Sequence, residues 1–197
     1  NFPSPSFVRQ IENQNLHALN IPELTIITPA ALQTEAERVA QLHREEGLTV
    51  AVIEQEKIFN EFSSGTPDAS AYRRLMKMFY DRAEGNENVR PRYLLLFGDG
   101  SYNNRKSMEK LHSPECNMLL TYQSKTSIDE RESFVIEDYF GFLENNSGEE
   151  IKVDKVCLGI GRFPISSIKN ARLVVDKLYR YVHDKDFSSW KNNICIA

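Results

Sequence analysis

Five short apolar runs alternate along the chain with segments whose apolar residues recur at helical spacing, which is the pattern of strands interleaved with amphipathic helices. The runs are Leu24 to Thr28, Leu48 to Ile53, Tyr93 to Phe97, Val156 to Ile160 and Asn193 to Ile196. Most are apolar at nearly every position, which suits strands covered on both faces rather than a half-exposed antiparallel ribbon. The expected fold is a three-layer α/β sandwich, a mostly parallel sheet with helices on both faces, carrying a hairpin-like insertion.

Three helices are expected between and after these runs. Pro29 suits a first helical position, and Leu32, Ala36, Val39 and Ala40 hold the helical period as far as Gly47. Thr66 is placed to cap a second helix, where Ala71, Leu75, Met78, Phe79 and Arg82 share one face before Gly85. Ser166 is placed to cap the third, with Ile168, Ala171, Val175, Leu178 and Val182 on its inner face.

The stretch from Gly98 to Lys155 breaks this rhythm. Met118 to Tyr122 and Asp138 to Leu143 read as short strands, and Asn145-Asn146-Ser147-Gly148 as a turn between the second of these and the run at Val156. Ligands in open α/β sheets bind beyond the carboxyl ends of the strands, so a long loop opening at Gly98 starts where function is favoured. The first 23 residues hold three prolines and no sustained period, and read as a strap or linker. Residues 24–197 then form one α/β unit, and its last apolar run reads as a buried strand of a longer protein.

Composition narrows the function classes. The chain has 197 residues, 41% of them hydrophobic, which is enough for a core. No apolar stretch is long enough to span a bilayer, so no transmembrane segment is expected. With 24 Lys+Arg against 28 Asp+Glu and no basic cluster, nucleic acid is not an expected partner. Cys116, Cys157 and Cys195 are too few for a disulfide framework.

Several motifs fall short of the chemistry they suggest. Gly98-Asp99-Gly100 follows a strand, but Asn103 stands where a nucleotide-binding turn needs its third glycine, and Gly159-Ile160-Gly161 leads to Pro164. Asp99, Ser101, Asn103 and Asn104 supply oxygen atoms of the kind calcium takes, with Glu137 and Asp138 as further carboxylates. A calcium site at Asp99, Asn103 and Asp138 is weighed against the simpler role of Asp99 as a loop cap, which the spacing favours. No cofactor is required. His112 and Cys116 lie four apart, but Pro114 between them opposes the helix that would join them as a dyad. His17, His43 and His183 read as surface residues, and no zinc spacing occurs.

Longer strings carry more. Ile58 to Asp68 (IFNEFSSGTPD), Tyr93 to Tyr102 (YLLLFGDGSY), Asp138 to Gly141 (DYFG) and Gly159 to Pro164 (GIGRFP), followed by Asp176-Lys177 and Tyr181, resemble in order the gingipain-type cysteine peptidases. The resemblance is nearest to the PorU-like branch, the C-terminal signal peptidases of type IX secretion. It covers the chain from about Phe7. It implies the first of two α/β subdomains of a caspase-like catalytic domain. The family's catalytic histidine and cysteine follow later strands in contexts absent here, so both are expected beyond Ala197 and no catalytic residue is assigned.

In arginine-specific members of that family an acidic residue shortly before the matching Tyr-Gly lines the primary specificity pocket, and Glu137 stands at that position. Glu137 and Asp138 are therefore the substrate-binding candidates. The resemblance implies a parent that removes C-terminal secretion signals at the outer-membrane surface of a Gram-negative bacterium. Its partners would be its own catalytic subdomain, exported protein substrates and type IX components. The alternative is an inactive scaffold or adhesion protein of the same fold.

Overall fold

A computed structural model describes residues 4, 7, 10–105, 109, 118–126, 128–150, 152–186, 188 and 193. Of the run Asn193 to Ile196 only Asn193 is described, and His112, Cys116 and Cys195 lie outside the described residues. Four strands, β1 (Leu24–Thr28), β2 (Val50–Glu54), β3 (Tyr93–Phe97) and β6 (Gly159–Phe163), form one parallel sheet in the order β2-β1-β3-β6. A separate two-residue ladder joins β4 (Asp99–Gly100) to β5 (Met118–Leu119), also in parallel.

Helices cover both faces, as the nearly continuous apolar strands require. On one side Leu24, Ile26 and Phe97 pack with Val39 of α1 (Gln33–Glu45) and with Ala171 and Val175 of α4 (Ile168–His183). On the other, Ile27, Leu94 and Leu96 pack with Phe59 of α2 (Gln55–Phe62) and with Leu75 and Phe79 of α3 (Ser70–Arg82). Alternation along β3 thus sends Leu94 and Leu96 to one layer and Leu95 and Phe97 to the other.

Strand β6 lies three residues beyond the expected Val156 to Ile160. Its register is set by Tyr93 opposite Gly159, and a Cβ at Gly159 would sit 3.2 Å from the Tyr93 ring, so the glycine lets the strand approach. Asp138 to Leu143 is no strand. Asp138–Gly141 is a 3-10 helix, because Tyr139, Phe140, Phe142 and Leu143 are all buried, and a strand would turn alternate side chains outward. The insertion's hairpin-like contact instead joins Gln123 to Val135 in an antiparallel bridge, flanked by Ser124 N–H to Phe134 O and Ile136 N–H to Tyr122 O.

Helix starts also shifted. Asp68, not Thr66, meets the start of α3, accepting Ser70 N–H at 2.8 Å, and Ser167, one residue after Ser166, caps α4 by accepting Asn170 N–H. Helix α2 was not legible from periodicity, since its buried apolar residues are only Ile58 and Phe59 and no side chain caps it.

The opening strap docks through one carboxylate. Glu61 on α2 accepts Leu16 N–H at 2.7 Å, the Gln14 amide at 2.8 Å, His17 N–H at 3.2 Å and the His17 ring nitrogen at 2.7 Å. It thereby caps the 3-10 turn Leu16–Ala18 from outside. Burial alone would push the Glu61 pKa up, but the hydrogen bonds from Leu16, Gln14 and His17 outweigh it and hold the carboxyl below the ordinary range. The His17 ring stacks on Phe62 at 4.7 Å, and Arg82 donates to His17 O.

Candidate functional site

The carboxyl ends of β2, β3 and β6 meet a wall made from the insertion, where an open parallel sheet places its ligands. Gly98 N–H donates to Phe163 O at 3.1 Å and Asp99 N–H to Ile165 O at 3.0 Å, which lashes the loop after β3 to the end of β6. Gln55 bridges the layers at the same end. Its amide donates to Met118 O at 2.8 Å, its carbonyl accepts Tyr72 OH at 2.7 Å, and Tyr72 Oη in turn accepts Leu120 N–H.

Arg162 is the centre of this wall. It points from β6 to the insertion side, the side that Ile160 also faces. Its Nε and Nη2 grip Glu137 at 2.8 and 3.1 Å, Nη1 donates to Gly98 O and Asp99 O at 3.2 and 3.3 Å, and Nη2 donates to Leu120 O at 3.1 Å. The pair is largely withdrawn from solvent, with the arginine side chain 12% exposed and the glutamate 29%. Gly100 is part of the same packing. A Cβ there would meet Thr121 Cγ2 at 2.8 Å and Arg162 Cζ at 3.3 Å, so Gly98-Asp99-Gly100 needs its last glycine for a guanidinium beside it rather than for a phosphate.

Beyond Arg162 the wall continues through side chain to backbone bonds. Asn104 donates to Thr121 O at 2.8 Å and accepts Thr121 N–H, while the Thr121 hydroxyl donates to Ser101 O at 2.8 Å. Tyr122 stacks on Tyr139 with ring centroids 3.4 Å apart, and Tyr139 OH donates to Ser70 at 3.0 Å. Burial, with Tyr139 alongside, raises the Tyr122 pKa. Arg73 lies over the Tyr139 ring and donates to Phe142 O and Ser147 O, which fixes the 3-10 segment against α3. A cavity of about 420 Å³ opens between residues 67–70, Asn104, Arg105 and residues 120–123.

The expected site residues are thus sorted. Glu137 is engaged by Arg162, whereas Asp138 is exposed at the head of the 3-10 helix. Asp99 accepts Gly100 N–H at 2.9 Å, as a loop cap does, and Asn103 accepts Arg105 N–H at 3.1 Å. Among the described residues no group of three His, Cys, Asp or Glu side chains is placed to hold a metal ion. Cys157 stands two residues before β6, at the far end of the sheet from this wall, and its N–H bonds Gly141 O.

Arg162 itself was missed from the sequence. The signal was present, since a lone arginine inside an otherwise apolar strand demands a carboxylate, and Glu137 in the insertion supplies it.

Comparison with known proteins agrees with this architecture. The model of peptidase family C25 matches residues 17–197. The crystal structure of dimeric latent PorU from Porphyromonas gingivalis superposes with a TM-score of 0.80 at 42% identity, over 95% of this chain and 18% of that one. The chain therefore spans less than a fifth of the length of that solved relative. No curated protein matches it. With the family model covering all but the first 16 residues, and the same fold recurring in a solved relative at 42% identity, the chain belongs to peptidase family C25.

Proposed function

We propose that this chain is the noncatalytic first α/β subdomain of a cell-surface cysteine endopeptidase that removes C-terminal secretion signals from type IX-exported proteins. The observation that carries the reading is the 42% identity to PorU over 95% of the chain. In this reading the parent sits at the outer membrane of a Gram-negative bacterium, and its thiolate and histidine base come from the catalytic subdomain that follows Ala197. The thiolate attacks the scissile carbonyl, the signal peptide leaves with the proton supplied by the histidine, and the acyl group passes to water or to another amine. The role of this chain is to build the strand-end wall of the substrate cleft and to pack against the catalytic half.

The test is to extend the coding sequence past residue 197, express the longer protein and treat it with an alkylating peptide probe. A Gly-His-Gly strand end followed by a labelled cysteine is expected. If either is missing, the peptidase reading fails and the inactive scaffold takes its place. Calcium is no required part of this reading, since Asp99 and Asn103 already accept hydrogen bonds within their loop. Melting with calcium and with chelator tests it, and a higher Tm in calcium would add the metal.

A further inference from the structure

Five N–H bonds radiate from the Arg162 guanidinium, and five is all that a guanidinium has to give. The acceptors form a cradle of two carboxylate oxygens from Glu137 and three carbonyl oxygens from Gly98, Asp99 and Leu120. Such a set is specific for a planar, forked cation, because a lysine ammonium has three donors in a different geometry. The cradle lies where an open parallel sheet takes its ligands, and the ligand in it is a side chain of the protein itself.

We propose that Arg162 is an internal ligand that fills this guanidinium cradle and so withdraws Glu137 from substrate, leaving a cleft wall that does not select basic side chains. The enzymatic half of this inference rests on the peptidase reading above. The physical argument is one of competition. Both Glu137 oxygens already hold charge-assisted bonds to Arg162, so a substrate arginine seeking the same two-pronged pairing would have to displace a tethered competitor whose ordering cost is met by folding. Gly100 shows that the chain is shaped for the internal guanidinium, since any side chain there would strike Thr121 and crowd Arg162. Arg162 is then a positioning residue, and it acts through the loops whose carbonyls it gathers.

Chemical rescue tests the cradle in the 197-residue chain. Arg162→Ala is expected to lower the Tm, and millimolar ethylguanidinium to raise it again by about 2–4 °C, with no rise in wild type or in Arg162→Ala/Glu137→Gln. Should Arg162→Ala not fold, recovery of refolding yield by ethylguanidinium, dependent on Glu137, reads the same property. Absence of a Glu137-dependent rescue overturns the cradle. In the longer enzyme, paired peptides with arginine or glutamine before the scissile bond are expected to differ less than about tenfold in kcat/KM, with the ratio unmoved by Glu137→Gln. An arginine preference above that level that disappears in Glu137→Gln overturns the proposal. Failure of the peptidase reading is a separate result, an unlabelled enzyme that turns over neither peptide, and the rescue then still decides the cradle.

Discussion

Glu61 and Arg162 solve the same problem with opposite charges. Each gathers backbone groups from loops and the ends of short elements. Glu61 collects N–H groups from the strap, and Arg162 collects carbonyls from the loops beyond β3 and β5. They differ in how their charge is answered. Glu61 meets backbone N–H dipoles, an amide and a histidine ring that is half exposed, whereas Arg162 faces a carboxylate in a shielded, two-pronged pair. A carboxylate anchor depends on its own protonation state, while a guanidinium stays charged throughout the accessible range and keeps its three carbonyl bonds whatever the state of Glu137. The strap's fastening therefore hinges on a titrating anchor, and the cleft wall's does so only in its Glu137 arm.

The largest effect expected from breaking this comparison is at the wall. Arg162→Met leaves Glu137 without its partner and takes the guanidinium donor from three carbonyls, which should cost about 3 kcal/mol, or roughly 6–12 °C in Tm for a chain of this size. A loss smaller than that of the strap variant below would reverse the ranking. Gly100→Ala attacks the same wall by crowding, and should cost about 1–3 kcal/mol in urea unfolding, since Thr121 is held by Asn104 and Ser101 and has little room to move. A neutral result would mean that the loop yields.

The smallest effect belongs to the strap. Glu61→Ala should cost about 1–2 kcal/mol and expose residues 10–23 to limited proteolysis, with the sheet still protected. The pH dependence has a definite sign. The folded pKa of Glu61 is depressed, so its contribution is present above the ordinary glutamate value of about 4.3 and is lost as pH falls through the lower folded value. Amide protection at Leu16 and His17, relative to the intrinsic exchange rate at each pH, should therefore fall in acid before the core opens. Equal acid sensitivity in Glu61→Gln would remove Glu61 as the cause.

The same contrast explains what the sequence made legible. Strands β1 and β3 coincide with their apolar runs because both are buried on two faces, and burial on two faces writes itself into composition. Among the described residues β6 is an edge strand, with two exposed glycines, so the apolar run beside it at Val156, which packs on the core outside the sheet, drew the assignment three residues early. The family strings pointed to the right fold and singled out Glu137 as a candidate. What the residues alone did not reveal was the partner of Glu137, because an ion pair between positions 137 and 162 has no local period. Only the fold brings them together.

The parallel pairing of β3 with both β1 and β6 has a kinetic consequence. Neither neighbour is local in sequence, and β6 pairs with β3 across the whole insertion. Seating of the guanidinium, which closes several loops at once, is therefore expected after the folding barrier. An interaction made after the folding barrier slows unfolding without hastening folding, so Arg162 should act mainly on how long the wall survives once built.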